Sequence, residues 1–87
     1  MSYKIEYVEK ALDALGKLPQ KDQKRIFNRI DRLAENPRPR RAYKLAGKWS
    51  GHYRIIIGNY RIVYTVQDDI LLIIVVKIAP RRDVYRI

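Results

Sequence analysis

Apolar residues change their spacing along this chain, and each change marks an element. Residues 2–7 alternate, with Tyr3, Ile5 and Tyr7 on one side, which predicts a short first strand. From Val8 the spacing becomes helical: Val8, Ala11, Leu12, Leu15 and Leu18 share a face until Gly16 and Pro19 break the pattern. A second helix is predicted over about residues 20–35. Its apolar stripe is Ile26, Phe27, Ile30, Leu33 and Ala34, while Lys21, Lys24, Arg25, Asn28 and Arg32 face outward. Pro37 and Pro39 end it.

Residues 36–51, NPRPRRAYKLAGKWSG, read as a basic linker rich in proline and glycine, with Leu45 and Trp49 anchoring it to the body. Three strands follow. Residues 52–57 place Tyr53, Ile55 and Ile57 on one face and His52, Arg54 and Ile56 on the other. Gly58-Asn59 is a hairpin turn signal, since both residues tolerate positive φ. Residues 60–67 set Tyr60, Ile62, Tyr64 and Val66 opposite Arg61, Val63, Thr65 and Gln67. After an Asp68-Asp69 turn, residues 70–78 are nearly all apolar, as in a strand covered on both faces, and Pro80 stops them. The expected architecture is a single α+β domain over residues 1–87, β-α-α-β-β-β, with an antiparallel sheet packed against a helical hairpin.

Composition sharpens this picture. Hydrophobic residues make up 47% of the 87, which supports a folded domain with a modest core. No apolar run approaches the roughly 18 residues of a membrane span, and MSYKIEYVEK lacks the apolar stretch of a signal peptide, so the cytoplasm is the expected location. Zero cysteines exclude thiolate chemistry and disulfides, and a single histidine makes a dedicated zinc site unexpected. The formal net charge of +10 attracts polyanions: nucleic acid, the ribosome or an acidic protein segment. A merely solvated basic surface is the alternative.

No phosphate-binding glycine loop, dinucleotide fingerprint or nucleophile–histidine–acid set is present. The acidic residues on or before the helices and at turns read as structural, which argues against paired-carboxylate chemistry and against a carboxylate-bound Mg²⁺; no cofactor is expected. What remains is basic and phenolic. Arg61 has apolar neighbours on its face, so it either snorkels to water at an edge or clamps an anion, for which a guanidinium fork is suited. A two-residue hairpin loop puts Arg54 on the same face, and Arg81 and Arg82 approach from the tail. Tyr85 either packs the tail or, with its phenolate stabilised by nearby guanidinium groups, acts on a ribose 2′-OH. Arginine is protonated at any usual pH, so its natural part is electrostatic stabilisation. His52 could exchange a proton near neutrality or be structural.

LAENPRP at the end of the second helix, KLAG at residues 44–47, YRIIIGNYRIVY at 53–64 and RRDVY at 81–85 occur in an order and spacing that resemble the RelE/ParE superfamily of type II toxins, in its RelE branch. The resemblance covers nearly the whole chain. It implies a ribosome-dependent endoribonuclease that cleaves mRNA without a metal, the 2′-OH attacking the adjacent phosphate to leave a 2′,3′-cyclic phosphate. On the matching positions it implies phosphate binding by Arg61, transition-state stabilisation or proton donation by Arg81, and base stacking with 2′-OH activation by Tyr85. Of the two lysines that the best-known members carry before the turn, the first position is Arg54 here and the second is Ile56. Lys48, His52 or Arg82 could compensate, and Lys44 joins them as a substrate-binding candidate. The implied partners are ribosome, mRNA and an antitoxin whose toxin-binding segment is acidic. A ParE-like gyrase inhibitor acting through protein contacts is an alternative on the same fold, as is a non-catalytic RNA-binding member.

Overall fold

The computed structural model describes residues 2–81. Along the chain run β1 (Lys4–Tyr7), α1 (Glu9–Gly16), α2 (Gln20–Leu33), β2 (Tyr43–Lys44), a turn of 3-10 helix (Gly47–Trp49), β3 (His52–Ile57), β4 (Tyr60–Gln67) and β5 (Leu72–Pro80). The five strands form one sheet in the order β1-β5-β4-β3-β2. Both helices cover one face of it, giving the expected α+β architecture.

The expected hairpin is present in register, with Ile57 opposite Tyr60 and Ile55 opposite Ile62. Gly58 takes φ 59°, whereas Asn59 is not in the left-handed region, so one positive φ suffices for this turn. A Cβ at Gly58 would also collide with the Arg25 guanidinium, which lies over the turn. The sheet itself differs from an all-antiparallel one. β1 runs parallel to β5, Ile5 beside Ile73, and makes the sheet mixed. Periodicity in β1 identifies the strand but carries no information about its neighbour; the helical hairpin that follows carries the chain across the sheet before β2 to β5 are laid down.

The core lies between helices and sheet. Ala11 and Leu15 from α1 and Ile26, Ile30 and Leu33 from α2 bury against Ile55, Ile57, Ile62, Tyr64, Ile73, Val75 and Ile78. Tyr3, Ile5 and Tyr7 pack at its margin, as their alternation predicts. Leu12 departs from its expected place in the stripe: it is 50% exposed, because α1 is short and presents only Ala11 and Leu15 squarely to the sheet. Phe27 is half-covered by the edge of the Tyr7 ring, 5.7 Å away. The helices are held as a pair by Gln23, whose Nε2 donates to the Leu18 carbonyl at 2.8 Å and to that of Gly16 at 3.3 Å.

The last strand begins two residues later than its apolar run. Ile70 is 59% exposed in the turn, and Leu71 takes φ 52°, a strained position for a branched side chain that redirects the chain into β5. Pro80 is the strand's last residue, paired with Tyr60, so the strand runs two residues past the expected end at Ile78. Replacing Gly58 by Ala should destabilise the fold by roughly 1–2 kcal/mol from the backbone alone, more if Arg25 cannot move, read as a lower urea midpoint at unchanged slope.

Candidate functional site

The face of the sheet turned away from the helices carries the chemistry. Cross-strand pairs run in rows over it: Ala79–Arg61–Ile56, then Lys77–Val63–Arg54–Tyr43, then Ile74–Thr65–His52. Arg54 and Arg61 therefore share a face and sit diagonally, about 7–8 Å apart between Cα atoms. Strands β3, β4 and β5 contain no carboxylate. On β1 the register puts Glu6 on this face, and it pairs at 3.5 Å with Lys4 at the far edge.

Arg61 lies on the middle strand and is 3% exposed, not at an edge with its head in water. Arg54 lays its guanidinium 4.7 Å over the Tyr43 ring, a cation–π contact, yet its Nε is buried without a hydrogen-bond partner. A buried guanidinium nitrogen left unsatisfied is costly, and an anion at this face would relieve it. Arg81 is exposed just past β5, its backbone N–H donating to the Asn59 carbonyl at 2.7 Å. That bond ties the chain leaving β5 to the hairpin turn, at the Arg61 end of the face.

The other candidates spread around this centre. His52 lies on the same face one row beyond Arg54, with Trp49 edge-on at 5.2 Å and the Ser50 carbonyl 3.4 Å from its Nδ1. Trp49 thus anchors the linker as expected, and exposed Lys48 is carried on the same 3-10 turn. Lys44 pairs with Tyr53, so the register turns it toward the helix side of the outer strand, away from Arg54. Arg82 and Tyr85 lie outside the described residues. Among the described tyrosines, every resolved shift is upward. Burial pushes Tyr7 and Tyr64 to about 12, while carboxylates hydrogen-bonded to Tyr3 (Asp68) and Tyr60 (Asp22) raise those phenols. None of these four is prepared to act as a base near neutrality.

Two features escape the linear pattern. Lys77 sits in a run of aliphatics and looks misplaced by alternation from Ile73. A bulge opposite Val63 and Tyr64 leaves Val76 without a partner, so that Val75 and Ile78 both face the helices and Lys77 joins the opposite face. The only signal in sequence is a single lysine in an otherwise apolar strand. The second feature is a clamp on the helix side. Arg38, in the basic linker, grips Asp68 through both terminal guanidinium nitrogens at 3.1 and 2.6 Å and donates from Nε to the Tyr53 hydroxyl at 2.9 Å. Tyr3 donates to the same carboxylate at 2.5 Å, and Tyr64 donates to the Pro37 carbonyl at 2.8 Å. These bonds fasten the linker ahead of β2 to the β4–β5 turn and β1.

A small α+β fold with a helix pair on one face and a carboxylate-poor basic face on the other defines the class. Comparison with known proteins places it further. A family profile described as ParE toxin of type II toxin-antitoxin system, parDE, matches residues 5–85. A Methanocaldococcus jannaschii protein bearing the RelE1 toxin name is 32% identical over 88 residues, covering 99% of this chain and 98% of that one. In the solved archaeal RelE–RelB complex from Pyrococcus horikoshii OT3, a chain with 31% identity superposes with a TM-score of 0.81, covering 93% of this chain and 97% of its own. The isolated E. coli RelE toxin, 27% identical, superposes with a TM-score of 0.78 over 98% of this chain and 93% of its own. The chain belongs to the RelE/ParE superfamily: it is a toxin of a type II toxin–antitoxin system.

Hydrogen bonds from Arg38 and Tyr3 hold the Asp68 carboxyl at about 2, below its ordinary 3.8. The stabilisation from this depressed value is full above about pH 4 and is lost as pH falls toward 2. Asp68→Asn should lower the melting temperature at pH 7, and the gap from wild type should close between pH 4 and 2 and narrow in high salt.

Proposed function

We propose that this toxin is a ribosome-dependent mRNA endonuclease acting without a metal. The reading rests above all on Arg54 and Arg61, two arginines at diagonal positions on one sheet face whose three central strands supply no carboxylate. The net charge of +10 and the RelE-named relatives support it further. In this mechanism the ribose 2′-oxygen forms a bond to the adjacent phosphorus as the bond to the 5′-oxygen breaks, giving a 2′,3′-cyclic phosphate and a 5′-hydroxyl. The 2′-OH proton leaves to a base, and the departing 5′-oxygen takes one up.

Arg61 and Arg54 bind the phosphate and oppose the charge that grows on its oxygens; Arg81, beside the turn, stabilises the leaving side. Tyr85 stacks a base and orients the 2′-OH, and Lys48, His52 or Arg82 takes the proton-transfer role in the absence of a lysine at Ile56. An antitoxin with an acidic segment covers the basic face and silences it, adding a strand or laying a helix on the toxin. The parDE description of the matching profile favours a second reading, in which the same fold inhibits DNA gyrase through protein contacts.

Programmed ribosomes carrying a reporter mRNA separate these readings. Wild type should cut the message, and Arg61→Ala and Arg81→Ala should each lower the rate by about 10²–10³, the scale of losing one charge-stabilising group. Tyr85→Phe should cut more slowly than wild type. Equal cleavage by all variants would remove these residues from the mechanism. An uncut message together with inhibition of gyrase supercoiling would establish the second reading.

A further inference from the structure

The row Lys77–Val63–Arg54 crosses three strands with a cation at each end and a fully buried valine between them. Arg61 lies two residues from Val63 on the same strand and face, diagonal to both cations. Each diagonal spans about 7–8 Å between Cα atoms, and Lys77 and Arg54 are about 10 Å apart, two strand spacings. Three side chains long enough to span these gaps thus spring from positions around one apolar point, that of Arg54 resting on the Tyr43 ring. The bulge opposite Val63 and Tyr64 is what admits the third: counted by strict alternation from Ile73, position 77 would turn toward the helices. There a lysine would meet the apolar core, where burying its ammonium without a partner would be costly.

Bulges re-aim side chains near functional sites, and this one re-aims the only charged residue of β5. From this geometry we infer that Lys77 is a phosphate-binding residue, completing with Arg54 and Arg61 a three-cation cradle over Val63 for a phosphodiester of single-stranded RNA. The inference rests on the nuclease reading but goes beyond it. It assigns to β5 the ammonium missing from β3, where Ile56 stands beside Arg61. A compact ammonium at one corner supplies charge, while the two guanidinium forks fix the orientation of the phosphate oxygens.

The test is binding of a short single-stranded RNA, made uncleavable by 2′-deoxy substitution, measured over a series of salt concentrations. Lys77→Gln keeps the length of the side chain and removes the charge; thermal unfolding of each variant checks that the fold is kept. Loss of one phosphate contact should reduce the slope of log affinity against log salt by about 0.7 and weaken binding several-fold at low salt. Lys77→Arg should restore the slope. Lys21→Gln, which removes the same charge from an exposed site on α2, should leave the slope as in wild type. An unchanged slope for Lys77→Gln, or an equal drop for Lys21→Gln, overturns the assignment while leaving the nuclease reading intact. A wild type that binds this RNA without salt dependence overturns both.

Discussion

A two-residue turn at Gly58 and Asn59 fixes which side chains of β4 meet the helices and which lie on the opposite face of the sheet, and the placement of Arg54 and Arg61 follows from that register. With Ile57 opposite Tyr60, the helix side takes Ile55, Ile57, Ile62 and Tyr64, and the opposite side takes Arg54, Ile56, Arg61 and Val63. A slip by one residue would drive Arg61 into the helix-side core and bring Ile62 out. Burial of four large side chains on one face therefore also enforces the placement of the arginines on the other. The positive φ of Gly58 and the Arg25 guanidinium over it keep the turn to its length.

Sheet order decides how that face is used. Because β4 is the middle strand, Arg61 has neighbours on both sides and lies in a sheltered position, whereas an edge strand would leave it in water. β3 brings Arg54 from one side and β5 brings Lys77 from the other. The carbonyl of Asn59 draws Arg81 to the end of the same strands. Among the described residues, acidic side chains are kept to the helices, the turns and the outer strand β1. The sheet thus separates its two tasks by face, stability on one side and charge on the other.

The opposite end of the molecule is held by different physics. Arg38, Asp68, Tyr3 and Tyr53 join segments far apart in sequence through charge-assisted hydrogen bonds at the surface. Their contribution is modest and salt-sensitive, as for exposed ion pairs generally. Their structural effect is specific: the linker preceding β2 is pinned, so Tyr43 can pair with Arg54 and lie under its guanidinium.

Much of this was legible in the sequence, where the determinants are local. Alternation located β3 and β4 to the residue, helical spacing located α1 and α2 to within a residue or two, and Gly58-Asn59 marked the turn. The same alternation put Arg54 and Arg61 together, and ordered motifs pointed to the toxin superfamily. Partners distant along the chain were not legible. The parallel pairing of β1 with β5, the central place of β4, the bulge that turns Lys77 outward and the Arg38–Asp68 clamp arise only when remote segments meet. Periodicity records which face of an element is buried; which strand lies beside it, and where a ladder must skip a residue, is decided by packing across the whole sheet.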